Sequence, residues 1–129
     1  MVSLREFIEE EKKFGQDLMT EMSNLSKKRT QLPMIIWVEA GIRNLKHNVP
    51  RMKFVNSTND KLTDSDLIPI SISKDNPEIL VDGVKLKISN KDLDILKKWI
   101  IKNYDNLMDL WNLKKDIADF IDNIQFIND

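Results

Sequence analysis

The chain has no cysteine, a single histidine and only three glycines among its 129 residues. Without cysteine, disulfide scaffolds and cysteine-ligated zinc sites are excluded. With one histidine, two-histidine metal sites and cysteine–histidine catalytic pairs are excluded within one chain. No glycine-rich phosphate loop and no G-x-S-x-G motif is present. The sequence therefore predicts no cofactor and no metal, and it disfavours an enzyme, with His47 as the only candidate acid–base residue.

An excess of charge of one sign is also absent, since 20 lysines and arginines stand against 21 aspartates and glutamates, for a net charge of −1. No overall field therefore attracts nucleic acid or an anionic membrane. No apolar run approaches the roughly 18 residues of a membrane span, and residues 1–13 are charged rather than arranged as a signal peptide. We expect a cytoplasmic protein that makes no membrane contact and folds as one domain over residues 1–129.

The first part of the chain predicts a helix over residues 3–29. Ser3 and Glu6 have the spacing of a capping box, in which each side chain satisfies a backbone N–H at the helix start. Apolar residues then recur at helical steps along a narrow stripe. This stripe can pack within the chain or pair with a second copy, so a homodimer through this helix is an open alternative. The residues of the predicted partner face are Leu4, Phe7, Phe14, Leu18 and Met22.

The middle of the chain predicts strands, because β-branched and aromatic residues and period-two alternation concentrate there. Pro69 cannot donate to a strand ladder, so we expect it at a strand start or at a sheet edge. Asp82-Gly83 between two apolar segments predicts a hairpin turn. The predicted strands are residues 34–38, 51–55, 68–73 and the two arms of a hairpin over 78–88.

The last part of the chain predicts helix from Ser89 onward, and a break near Asn112 is left open. Trp37, Trp99 and Trp111 are expected in the core. The predicted fold class is therefore α+β. It has an N-terminal helix in residues 1–30, a small mostly antiparallel sheet of four to five strands in 33–88, and one or two C-terminal helices packed on one face in 89–127.

A basic segment from Arg43 to Lys53 carries four fixed positive charges and the only histidine, with no acidic residue among them. Alternation along a strand places the side chains of Arg51 and Lys53 on one face, where they can converge with the preceding turn on an anion. The alternative is an ordinary solvent-exposed sheet face. If the two side chains are exposed, their double substitution by alanine changes stability by no more than about 0.5 kcal/mol. The predicted anion or nucleic-acid site is Arg43, Lys46, His47, Arg51 and Lys53.

The segment His47-Asn48-Val49-Pro50-Arg51-Met52-Lys53, followed by Trp99, Leu107 and Trp111, resembles a family of small bacterial domains of unknown function. Those domains carry an H-x-x-P-H-x-H strand, end in a W…L…W helix and are typically encoded beside toxin–antitoxin genes. The resemblance covers about residues 34–112. Arg51 and Lys53 stand where the family has its other two histidines, which favours anion binding over histidine chemistry.

Two functions follow as expectations. The first is a small bacterial or phage accessory protein that binds a macromolecule, with a protein partner expected, as an inhibitor, regulator or toxin–antitoxin-type component. Its 16 isoleucines, 16 lysines and 12 asparagines suggest the AT-rich coding typical of many bacteria and phages. The alternative is a nucleic-acid-binding or nucleic-acid-processing domain that holds phosphates with the basic segment of residues 43–53.

Overall fold

The computed structural model describes residues 2–4, 21–40, 49–57 and 67–127. Their elements are strands and helices in a mixed order, so the α+β class is confirmed. The strands are β1 (Val2–Ser3), β2 (Glu21–Leu25), β3 (Ile36–Ala40), β4 (Arg51–Val55), β5 (Leu67–Ser71) and β6 (Val81–Asp82), and the helices are α1 (Lys27–Thr30), α2 (Asn90–Lys102), α3 (Tyr104–Trp111) and α4 (Ile117–Asp122).

The main sheet has four antiparallel strands in the order β2-β3-β4-β5, and a separate two-stranded sheet joins β1 to β6 in parallel. The predicted bounds of β4 are confirmed, while β3 lies two residues later than predicted. Pro69 lies inside β5, the last strand in this order, so the predicted edge position is confirmed. Its carbonyl accepts a hydrogen bond from Leu80 N at 3.0 Å. Proline is tolerated at an edge because the ladder there loses no N–H donor.

One face of the main sheet forms the apolar core. Residues opposite each other in the register share a face, so Ile36, Phe54 and Ile68 lie in one row across three strands. Helix α3 contacts β3, and the C-terminal helices supply the other half of the core. Full burial of each large apolar side chain contributes roughly 1.5–3 kcal/mol. The core residues from the helices are Leu96, Trp99, Ile100, Leu107, Leu110 and Phe120.

The C-terminal segment begins as predicted, since the Ser89 side chain caps α2 by accepting a hydrogen bond from Asp92 N at 3.1 Å. It then breaks twice. Buried Asn103 separates α2 from α3, because its amide donates to Trp99 O and Gln125 O, both at 2.9 Å. The second break is at Asn112, which ends α3. The described segment therefore holds three helices instead of the one or two predicted.

The predicted N-terminal helix over residues 3–29 is wrong at its C-terminal end. Glu21–Leu25 is strand β2, and Ser26 begins the single-turn helix α1 by accepting a hydrogen bond from Arg29 N. The helical spacing of Leu25 is overridden by tertiary pairing, because Leu25 lies opposite Ile36 and is buried in the core. Near the start of the chain, Ser3 lies in β1. Residues 5–20 lie outside the described residues.

The predicted hairpin over residues 78–88 is also wrong. Gly83 has the positive φ, 69°, that the turn required, yet Val81–Asp82 pairs in parallel with β1 instead of with residues 84–88. The arm after the turn, residues 84–88, belongs to no strand. The Asn56 side chain takes the place of a neighbouring strand, since its amide donates to Lys85 O at 2.9 Å and its carbonyl accepts from Lys87 N at 2.7 Å.

Candidate functional site

Strand β4 places the side chains of Arg51 and Lys53 on one face of the sheet, as alternation predicted. In the register, Lys53 lies opposite Trp37 on β3 and opposite Pro69 on β5. The exposure expected of this face is wrong, however. Arg51 is 1% exposed and Lys53 is 6% exposed, and all five residues of β4 are buried. The main sheet is therefore buried on both faces along β4.

Glu39 supplies the acidic partner that the basic segment lacks. Its side chain is fully buried, and Lys53 Nζ lies 3.1 Å from Glu39 Oε1 while Arg51 Nε lies 3.9 Å from Glu39 Oε2. The Arg51 guanidinium carbon also lies 5.8 Å from the centroid of the Trp111 ring, within cation–π range. We call Glu39, Arg51 and Lys53 the buried charge cluster.

The buried charge cluster supports the fold rather than a ligand site. Charges taken out of water are tolerated only when partners compensate them, and removing one partner costs far more than the pair is worth. At exposures of 1% and 6%, Arg51 and Lys53 are closed to an anion from solvent unless the fold opens. The cluster joins β3 to β4, because Glu39 lies on β3 and both cations lie on β4.

The remaining residues of the predicted sites are not brought together with this cluster. Arg43, Lys46 and His47 lie outside the described residues, so their anion-binding role stays a prediction. Of the predicted partner face, Leu4 is half-buried and packs against the core, and Met22 lies on strand β2 rather than on a helix. The others, Phe7, Phe14 and Leu18, also lie outside the described residues.

A cleft of about 380 Å³ lies at the C-terminal ends of β1 and β6. We call it the β1–β6 cleft. Its floor is apolar and its rim is charged, with two exposed lysines and one exposed aspartate. The described residues that line it are Ser3, Leu4, Asn56, Ile68, Asp82, Gly83, Val84, Lys85 and Lys87.

A strained leucine follows the C-terminus of α3. Leu113 N donates to Leu110 O at 3.1 Å and Lys114 N donates to Asp109 O at 2.8 Å, which is the Schellman pattern. That pattern puts Leu113 at the position where glycine is usual, with φ of 61°. The side chain is 56% exposed, the highest value among the exposed large apolar residues of the described part.

Sequence reasoning missed Glu39, Leu113 and the cleft. The one sequence signal for Glu39 is its position directly after the apolar run 34–38. That position does not reveal which strand lies beside Glu39 in the sheet. The conformation of Leu113 has no signal in the sequence, because leucine ordinarily avoids positive φ. The cleft depends on the pairing of β1 with β6, which joins residues far apart in the chain.

Within the ranges described, no grouping of three or more histidine, cysteine, aspartate or glutamate residues is suited to hold a metal ion. The helices of that same part include none that is long and apolar enough to cross a membrane. Comparison of the chain with protein-family models, curated proteins and solved structures finds no match.

Proposed function

We propose that the protein is a small bacterial or phage accessory protein that acts in the cytoplasm by binding a partner protein, without catalysis. Its class is that of inhibitors, regulators or toxin–antitoxin-type components. The observation that carries the proposal is Leu113, an apolar side chain that is 56% exposed on strained backbone at the end of α3.

Burial of the side chain does little to offset the strain at Leu113. A non-glycine residue in the left-handed region costs roughly 1–2 kcal/mol, and a side chain that is 56% exposed recovers little of this by burial. A partner that covers Leu113 recovers part of the roughly 1.5–3 kcal/mol that full burial of a leucine contributes, because the residue is 56% exposed without it. Strained residues of this kind cluster at functional sites. We therefore assign Leu113 to the surface that the partner covers.

The variant Leu113→Gly tests this with two readouts of opposite sign. Glycine accepts the positive φ, so the variant unfolds at a higher urea concentration, with a gain of about 1 kcal/mol. In affinity capture from bacterial lysate with quantitative mass spectrometry, it retains at least tenfold less of the partner than the unchanged chain does. Ile101→Ala is the control, since Ile101 is an exposed apolar residue on α2 at 40% exposure. If all three proteins capture the same partners in the same amounts, the proposal is wrong.

Nucleic-acid binding is the second candidate, and helix α1 is the observation that favours it. Lys28 and Arg29 are exposed there on a single helical turn. This differs from the prediction for residues 43–53, because Arg51 and Lys53 are buried against Glu39. Phosphate contacts weaken steeply as salt rises.

Fluorescence anisotropy with short RNA and DNA oligonucleotides at low and moderate salt separates the two candidates. Nucleic-acid binding predicts a salt-sensitive signal that Lys28→Ala with Arg29→Ala removes. The matched control, Lys91→Ala with Lys98→Ala, changes two exposed lysines on α2 and leaves the signal in place. Absence of any signal at low salt rules out the second candidate and leaves the protein partner.

A further inference from the structure

We infer that the β1–β6 cleft binds a small organic anion. The anionic group lies at the Lys85 and Lys87 side of the cleft, and the apolar body of the ligand lies against Leu4, Ile68 and Val84. This inference is independent of the proposed partner protein, because it concerns a different surface from Leu113.

The backbone creates the cleft at the carboxyl ends of two parallel strands. Val2 lies opposite Val81 and Ser3 lies opposite Asp82, and among the described residues the pairing ends there. Gly83 follows with φ of 69°, and a Cβ placed on it would meet nothing within 4 Å. The space beside Gly83 is therefore open.

The cationic wall of the cleft is held in place by a buried side chain. Asn56 is 4% exposed and bonds to Lys85 O and Lys87 N, which fixes the segment that carries both lysines. Both lysines line the cleft. A wall fixed before binding lowers the ordering cost that a ligand must offset.

Charge and size decide the class of ligand. The described lining residues carry two positive charges, on Lys85 and Lys87, and one negative charge, on Asp82. Lys85 is exposed at the rim, where it can meet an anion without a desolvation penalty. A volume of about 380 Å³ is within the range of roughly 300–1,000 Å³ typical of small-molecule sites. The half-buried apolar side chains of Leu4 and Val84 in the lining favour an organic anion over a bare inorganic one.

Three probe molecules distinguish the contribution of the anionic group from that of the apolar body of the ligand. Phenyl phosphate presents an anion on an apolar body, inorganic phosphate presents the anion alone, and benzyl alcohol presents the apolar body alone. Each is titrated into the full chain, labelled with ¹⁵N, and followed through the amide signals of Gly83, Val84 and Lys85. We expect saturable shifts with phenyl phosphate, affinity about tenfold weaker for inorganic phosphate, and no saturable shift with benzyl alcohol.

Substitution of one lysine gives the decisive comparison. Lys85→Gln is expected to weaken phenyl phosphate binding about tenfold, while Lys91→Gln, which changes an exposed lysine outside the lining, leaves it unchanged. Unchanged unfolding midpoints for both variants show that the fold is retained. The inference is overturned if phenyl phosphate does not saturate, if its shifts lie away from the cleft, or if both variants bind it equally. Inorganic phosphate binding as tightly as phenyl phosphate overturns the apolar half of the proposal.

Discussion

Two segments of the chain have the same short sequence pattern but differ in whether their cationic side chains are buried. Arg51-Met52-Lys53 and Lys85-Leu86-Lys87 each place two cations around one apolar residue. In β4 the two cations are buried beside Glu39, whereas Lys85 and Lys87 are exposed at the β1–β6 cleft. Alternation tells which side chains share a face, but it does not tell what covers that face.

The difference arises from the neighbours of each segment. Strand β4 lies between β3 and β5, and β3 brings a carboxylate within 3.1 Å of Lys53. The neighbour of residues 84–88 is a single side chain, that of Asn56, which forms hydrogen bonds with the backbone of Lys85 and Lys87. The side chains of both lysines remain exposed. Long-range pairing therefore decides whether a cation is buried inside the fold or exposed at its surface.

The largest effect is expected from Glu39→Gln, which removes the carboxylate between two buried cations. Because Lys53 and Arg51 then lose the carboxylate that they contact inside the fold, we expect a loss of about 3–5 kcal/mol in the free energy of unfolding, measured in urea. Replacing all three members of the cluster by methionine removes its buried charges together, so the triple variant is expected to lose less than Glu39→Gln. A triple variant that is less stable than the single one would contradict this explanation of the cluster.

An intermediate effect is expected from Asn56→Ala. The substitution leaves Lys85 O and Lys87 N without their side-chain partner, at a cost of about 1–3 kcal/mol. Amide hydrogen exchange measures it directly, since the Lys87 N–H loses its acceptor and exchanges faster. The Lys85 N–H, which is not the donor of either bond to Asn56, serves as the internal reference. Equal exchange at Lys87 in both proteins would show that Asn56 does not hold this segment.

The smallest effect is expected from Lys85→Ala with Lys87→Ala. Both side chains are exposed, so the free energy of unfolding changes by no more than about 0.5 kcal/mol. A larger loss would show that these lysines support the fold, which would remove the contrast with β4.

Local patterns predicted the elements that local chemistry specifies. The alternation at 51–55, the cap at Ser89 and the edge position of Pro69 are confirmed. The predictions failed where distant residues decide the outcome. Leu25 joins a strand because Ile36 lies opposite it, and Asp82 pairs with Ser3 instead of closing a hairpin. The burial of Arg51 and Lys53 could not be predicted, because the acid that pairs with them comes from another strand.

The most direct test of the account compares two matched double variants by urea unfolding, Arg51→Ala with Lys53→Ala and Lys85→Ala with Lys87→Ala. If Arg51 and Lys53 were exposed, as alternation alone allows, the first variant would change stability by no more than about 0.5 kcal/mol. The structure predicts a loss of about 3 kcal/mol or more for the first, because Glu39 is left buried without these two cations, and no more than about 0.5 kcal/mol for the second. Equal unfolding midpoints for the two variants would contradict the account.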